Sequence, residues 1–417
     1  TAFKLDVGHP PGAPFFMLTG RIFTLFAADT TKVAVMVNSL SALLSAFTIL
    51  FLFWTITHLA RKVIIKSESD FSWGTTIAIL GAGLVGSLAY TFSDSFWFSA
   101  VEGEVYAYSS FFTAIVFWAV LKWEDVADRS GSDRWLILIA YLMGLSIGVH
   151  LLNLLAIPAM VLVYYFRNNT PSTKGIVLAL LASLVILGSV LYGIIPGSVE
   201  VASWFELFFV NTLGFAFNTG LFVYIFLAVV ILAWSIYESY VNKSFVRLAV
   251  SCVLGVTIVG IPFFGNSVII GVLIIAALSA FFYWKRYKIN VRWVNTAMLM
   301  ITVILIGYSS YAVIVIRSSA KPPMDQNSPD NVFSLKYYLN REQYGDRPLL
   351  YGSVYNAPVK LNIEGNMCVL VKKQGDATYA PKPKTSPADK DEYIITGYKI
   401  DYEMDDRFNM FFPRMYS

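Results

Sequence analysis

The chain has 417 residues, of which 57% are hydrophobic, 16% aromatic and only 14% charged. With a mean hydropathy of +0.62, this composition excludes an ordinary soluble enzyme and predicts a polytopic α-helical membrane protein. The formal net charge of +4 is scattered over loops and forms no basic stripe, so no nucleic-acid partner is expected.

The chain opens at Thr1, already in a polar-to-amphipathic stretch, and an earlier transmembrane helix is expected to precede it. Gly8-His9-Pro10-Pro11-Gly12-Ala13-Pro14 follows. Adjacent prolines restrict φ and bias His9 toward extended backbone, so this reads as a rigid, non-helical corner carrying an imidazole. Apolar runs long enough to cross a membrane then occur at about 33–60, 73–92, 104–121, 134–149, 151–166, 174–195, 219–238, 246–262, 266–284 and 292–316, roughly ten spans. Only His150 separates the fourth and fifth runs, which could equally form a broken or re-entrant pair.

Basic residues sit in alternate loops: Arg61, Lys62 and Lys66; Lys122, Arg129 and Arg134; Arg167 and Lys174; Lys243 and Arg247; Lys285, Arg286, Lys288 and Arg292. The positive-inside rule makes these loops cytoplasmic. The opposite side then carries residues 1–31, the loops near 93–103, 150, 196–218 and 263–265, and the tail after Arg317. This divides the chain into a first outer loop (1–31), a transmembrane domain (32–316) and an extracytoplasmic soluble portion (317–417). The last is of α/β or mixed type, with short apolar runs at 349–351 and 393–395 and a loop at 374–391 marked by Pro381, Pro383 and Pro387. Cys252 and Cys368 have neither metal-ligand spacing nor a disulfide pattern, so no metal site is expected. No P-loop, dinucleotide fingerprint or zinc-protease helix is present.

Polar groups on the outer side mark the candidate site. The loop from Asp94 to Tyr106 carries three carboxylates and no Lys or Arg. It is either a solvated loop with aromatic anchors, or Glu102 and Glu104 hold an acceptor's polar groups or a metal, or pair with His9 or Arg21. His150 and Asn153 are one helical turn apart, suited to a phosphate or hydroxyl, or to capping a tight hairpin. Residues 204–220 read as an amphipathic helix lying in the membrane interface, with Asn211 and Asn218 after it. Arg317 is either a snorkelling anchor or a cation for a lipid phosphate.

Four stretches together resemble one membrane family: Lys4 to Pro14, Ala100 to Tyr106, Gly148 to Asn153, and Phe209 to Gly214 followed by Asn218-Thr219-Gly220. It is the family long called domain of unknown function 2723, which includes eukaryotic protein O-mannosyltransferases of the transmembrane-protein-260 type and bacterial relatives common in Bacteroidetes. The resemblance covers roughly residues 1–320. It implies a GT-C glycosyltransferase of the bacterial inner membrane, taking a mannose or similar hexose from a polyprenyl-phosphate carrier to Ser or Thr of exported proteins on the periplasmic face. An acidic residue of the first outer loop would serve as general base while the lipid phosphate leaves. In the family that acid precedes the His-Pro-Pro-Gly motif, upstream of Thr1, and Asp6 falls on the motif's variable position. His9, Glu102 and Glu104 are then expected near the reacting groups, and Arg21, His150, Asn153, Asn211, Asn218 and Arg317 toward the carrier phosphate. Membrane lipid, the lipid-linked sugar, an exported acceptor protein and a membrane-complex partner are the expected partners; a divalent-metal requirement stays open. The competing readings are a lipid or solute transporter, against which the scarcity of charges inside the spans counts, and a non-catalytic scaffold acting through residues 317–417.

Overall fold

The computed structural model of the chain describes residues 1–263, 267–344, 348, 350–364 and 367–413. Parts of the expected loop at 263–265, the first residue of the expected span at 266–284 and Leu349 of the expected strand lie outside the described residues.

After the corner come α1 (Pro14–Thr24) and α2 (Val33–Ile64), then α3 (Trp73–Thr91), α4 (Asp94–Val101), α5 (Val105–Val126) and α6 (Asp133–Ile147). They are followed by α7 (Ile157–Asn168), α8 (Thr173–Gly188), α9 (Ile195–Leu207), α10 (Thr219–Val241), α11 (Phe245–Ile258), α12 (Val268–Lys285), α13 (Val291–Tyr308) and α14 (Ala312–Ser319). Among the described residues, eight helical stretches are long and apolar enough to cross a membrane, and the chain is a polytopic helical membrane protein. Serine caps set several helix starts: Ser72, Ser172 and Ser267 accept hydrogen bonds from the backbone N–H groups of Thr75, Gly175 and Ile270, satisfying donors a helix start leaves free.

Helices form at all ten expected places, with two corrections to the spans. The runs at 134–149 and 246–262 become α6 and α11, of 15 and 14 residues. At about 1.5 Å per residue these are too short to cross the hydrocarbon core unaided. The run at 174–195 does not stop there. It continues through a π-helical turn at Ser189–Ile194 into α9, and the whole stretch Thr173–Thr212 is helical. The expected loop at 196–218 is therefore largely helix, and the expected interfacial helix at 204–220 is the end of a long one. One face is buried, Glu206 fully, because it packs against the C-terminal region through Tyr393.

The bundle packs closely where α6 meets α13. A Cβ on Gly144 would lie 2.5 Å from the Ile304 carbonyl oxygen. Small residues here let two backbones touch, the usual device for helix association where lipid competes for apolar side chains.

The C-terminal part is mixed, as expected: α15 (Val332–Leu339), then β1 (Tyr351–Ser353), β2 (Leu361–Glu364), β3 (Met367–Leu370), β4 (Lys372–Pro381), β5 (Tyr393–Tyr402) and β6 (Asn409–Phe411). The strands form three antiparallel pairs, β1 with β6, β2 with β3 and β4 with β5. The expected loop at 374–391 is thus half wrong. Residues 374–381 belong to β4, and Pro381, opposite Tyr393, ends the ladder.

Candidate functional site

The opening segment is held from several directions at once. The Val7 N–H donates to the Met324 carbonyl (2.9 Å) and the Gln326 N–H to the Val7 carbonyl (3.1 Å), a short parallel bridge. Arg317, at the end of α14, donates from Nε to the Leu5 carbonyl (3.0 Å) and from Nη2 to the Lys4 carbonyl (2.9 Å). Tyr338 of α15 donates from its hydroxyl to the Gly8 carbonyl (2.8 Å). At the corner itself the Pro10–Pro11 bond is cis, and Gly12 has φ +72° with its Cα so close to Tyr338 that a Cβ would sit 2.6 Å from the hydroxyl. Only glycine fits that turn and that neighbour.

A narrow cleft opens between these parts, lined by Asp6, Gly8, Gly12, Ile314, Arg317 and Tyr338 among others, with a volume of about 20 Å³. That is room for a single water. The Asp6 side chain is 9% exposed, and its Oδ1 is buried with no hydrogen-bond partner among the described residues. Asp325, across the bridge, also has a buried Oδ1 without a partner, while its Oδ2 accepts from Ser318 (3.0 Å). An unpartnered buried carboxylate oxygen carries a desolvation cost that a proton or a ligand hydroxyl would relieve.

The second wall comes from the α6–α7 turn. The Phe15 N–H donates to the Gly148 carbonyl (2.8 Å), and Tyr311 donates from its hydroxyl to the Ile147 carbonyl (3.2 Å). His150 follows, and its Nδ1 accepts from the Leu152 N–H (3.2 Å). A ring nitrogen that accepts carries no proton, so in the neutral ring Nε2 is the N–H donor. Burial, and secondarily the Arg341 cation, hold His150 below its ordinary pKa. The Tyr106 ring lies 5.6 Å from the imidazole, which joins the Glu102–Tyr106 loop to this wall.

The structure sorts the expected site residues into two groups. His9 is exposed on the corner, and Glu102 and Glu104 are exposed in their loop; with Asp6, His150 and Arg317 they share the end of the bundle where the corner is held. The others have different tasks. Arg21 lies over the Phe3 ring at 5.0 Å and donates to Thr24 (3.3 Å), so it fastens α1 to the opening turn. Asn153 is fully buried, accepting from Thr113 (3.0 Å) and approaching the Met143 sulfur (3.4 Å). Asn211 reads the Tyr393 backbone with both ends of its amide, donating to the carbonyl (2.7 Å) and accepting from the N–H (2.9 Å). Asn218 is a left-handed cap residue (φ 68°) whose N–H donates to Glu206 (2.5 Å). Arg317 spends two of its five donors on backbone carbonyls, leaving Nη1 without a protein partner among the described residues.

Sequence reasoning missed Tyr338 and Asp325, which lie more than 300 residues from the opening segment that they face, and Arg341, whose charge acts on the distant His150; no local pattern marks them. It also missed the docking strut. Glu206 accepts from the Leu221 N–H (3.0 Å) and the Tyr393 hydroxyl (3.2 Å) as well as from Asn218, and Glu200 is ion-paired with Lys336 at 2.6 Å. Burial and the Glu206 charge push the Tyr393 hydroxyl pKa far up. A carboxylate alone in the apolar run Trp204 to Phe209 was the available signal. Among the described residues no three His, Cys, Asp or Glu side chains converge as a metal site.

Comparison with known proteins adds to this geometry. Residues 1–173 match the family model described as the protein O-mannosyl-transferase TMEM260 N-terminal domain. Residues 345–417 match a family of unknown function, DUF8416. Protein O-mannosyl-transferase tmem260 of Dictyostelium discoideum is 25% identical over 158 residues, an alignment that covers 36% of this chain and 17% of that relative. The chain is therefore similar to a small part of that protein. No solved structure matches.

Proposed function

We propose that the chain is a membrane glycosyltransferase of the GT-C type, of the family called domain of unknown function 2723. It carries a mannose or similar hexose from a polyprenyl-phosphate donor to Ser or Thr of exported proteins at the outer face of a bacterial inner membrane. One observation carries the reading: the stretch similar to an O-mannosyl-transferase domain supplies both the Asp6–Pro14 corner and the His150 turn, and these two are hydrogen-bonded to each other through Phe15 and Gly148.

The chemistry follows from the groups at that end. The acceptor hydroxyl attacks the anomeric carbon, the bond from that carbon to the carrier phosphate breaks, and the phosphate leaves with the electron pair. Direct displacement inverts the configuration. The hydroxyl proton passes to a carboxylate; the resemblance gives that role to an acid ahead of the motif, and Asp6, which lines the cleft, is the residue of this chain on which the role is tested. His150 Nε2–H and the free Nη1 of Arg317 are donors suited to the departing phosphate. The cleft admits only a water, so the sugar binds at its mouth, where His9 is exposed. The basic loops at the opposite end support an outer-face position for this cleft.

The test is transfer of labelled hexose from the lipid carrier to a Ser/Thr peptide by membranes that contain the full-length protein. Asp6→Asn and His150→Ala are each expected to lower turnover about tenfold or more, the size typical of a lost proton-transfer or orienting group. Unchanged turnover in both would remove the residue assignment, and carrier flux without glycosylated product would replace the enzyme by a transporter.

A further inference from the structure

A second cavity lies at the other end of the bundle, far from the proposed transfer site. It opens between α2, α3 and α5, has a volume of about 390 Å³, and is lined by Trp54, His58, Arg61, Ile79, Trp118 and Lys122, together with Thr57. Its charges are unbalanced. Of the carboxylates beside it, Glu124 is paired with Lys62 (2.5 Å) and Asp125 approaches the His58 ring (3.6 Å). Among the described residues Lys122 forms no ion pair and lies over the face of the Trp118 ring, 5.8 Å away, and Arg61 forms no ion pair either. Two uncompensated cations at the edge of an apolar bundle are costly unless an anion joins them. His58 adds a polar group in want of a partner, since its Nε2 is buried without one among the described residues.

The walls give the rest of the ligand's character. Trp54 and Trp118 line the cavity with their rings tilted against each other, 5.5 Å apart, and tryptophan is enriched at the membrane headgroup boundary. Beside the cavity, α3 turns Ile77 (65% exposed) and Leu80 (50% exposed) outward, a surface suited to an acyl chain. Nothing in the proposed transfer mechanism uses these residues.

We infer that this cavity binds a phosphate group, supplied by the headgroup of an anionic membrane lipid of the leaflet opposite the transfer site. Arg61 and Lys122 pair with the phosphate, the two indoles pack on the glycerol region, and the acyl chains lie along α3. Basic pockets between transmembrane helices on the cytoplasmic side are the recurrent setting for such headgroups.

Native mass spectrometry and thermal melting of the full-length protein in neutral detergent test it, with phosphatidylglycerol, phosphatidylcholine and inorganic phosphate added separately. Phosphatidylglycerol is expected to stay bound and raise the melting temperature. Arg61→Gln and Lys122→Gln are each expected to weaken its apparent affinity about fivefold, as for one basic residue at an anionic surface, while Lys122→Arg keeps it. Arg286→Gln, which removes an exposed cation stacked on Tyr283 and Tyr287 at 5.0 and 4.8 Å, is the control and leaves binding unchanged. Equal retention of phosphatidylcholine, or full retention of phosphatidylglycerol by the double variant R61Q/K122Q, overturns the inference. A response to inorganic phosphate as large as that to the lipid overturns the assignment to a lipid source.

Discussion

The two ends of the helical bundle are tied together in different ways. At the end that carries the corner, the ties are hydrogen bonds to backbone carbonyls from residues far away in sequence: Arg317 to Leu5 and Lys4, Tyr338 to Gly8, Phe15 to Gly148. At the other end the ties are ion pairs between side chains at or beside helix ends: Lys62 with Glu124 (2.5 Å), Arg167 with Asp128, and Arg292 with Asp133 (2.6 Å). A hydrogen bond to a fixed carbonyl in a partly buried setting is directional and little screened. An exposed ion pair holds two loops near each other, tolerates many geometries and weakens with salt. The first arrangement suits a site whose atoms must stay in register. The second suits a membrane face that needs only to stay attached.

Breaking both ends at once should have the largest effect. Gly144→Leu drives a side chain into the α13 backbone, and a loss of about 3 kcal/mol is expected from overpacking, read as a collapsed melting temperature in detergent. Next comes the strut beneath the corner. Glu206→Leu strands two backbone donors and the Tyr393 hydroxyl, a cost of about 2 kcal/mol; limited proteolysis should then release the region after residue 320 while the spans stay folded. Release at the wild-type rate would show that the strut does not hold that region.

Arg317→Gln tests register without breaking the fold. Turnover should fall about tenfold with a small change in melting temperature, the pattern of a lost positioning contact. The reverse pattern would make Arg317 merely structural.

His150 supplies a pH dependence. Burial keeps its folded-state pKa below the ordinary value, so in the window from about pH 6.5 down to that lower value the unfolded chain binds more protons. Stability then falls as pH falls through this window. Melting curves from neutral to mildly acid pH should show the decline, and His150→Gln should flatten part of it.

Smallest is Lys62→Gln at the opposite end, under about 1 kcal/mol and vanishing in concentrated salt. A salt-resistant loss larger than that would erase the contrast between the two ends.

Helix positions were legible because crossing a membrane demands an apolar run of known length, and the runs at 33–60 and 219–238 became α2 and α10 with ends shifted by a few residues. The end of the run at 174–195 was misjudged because Pro196 reads as a helix end, whereas here it follows directly on the π-helical turn at Ser189–Ile194, a local irregularity of the kind that accompanies proline within a helix. The helix therefore passes straight through it. The corner and the His150 turn were legible as motifs, and they are in contact. What Arg317 and the asparagines do was not. An arginine beyond the last span reads the same whether or not backbone carbonyls hold it, and only the arrival of residues 4 and 5 beside it shows that Nε and Nη2 are taken.

By itself the amino-acid sequence determined the membrane class, the order of the spans and the segregation of basic loops, since hydropathy and charge act locally on each segment. Only the tertiary structure decided which polar groups share a cleft. Asp6, Arg317 and Tyr338 meet through packing between elements more than 300 residues apart. The same packing turns the first glycine-proline corner from a local turn into a wall, because partners that satisfy its carbonyls come from the other end of the chain.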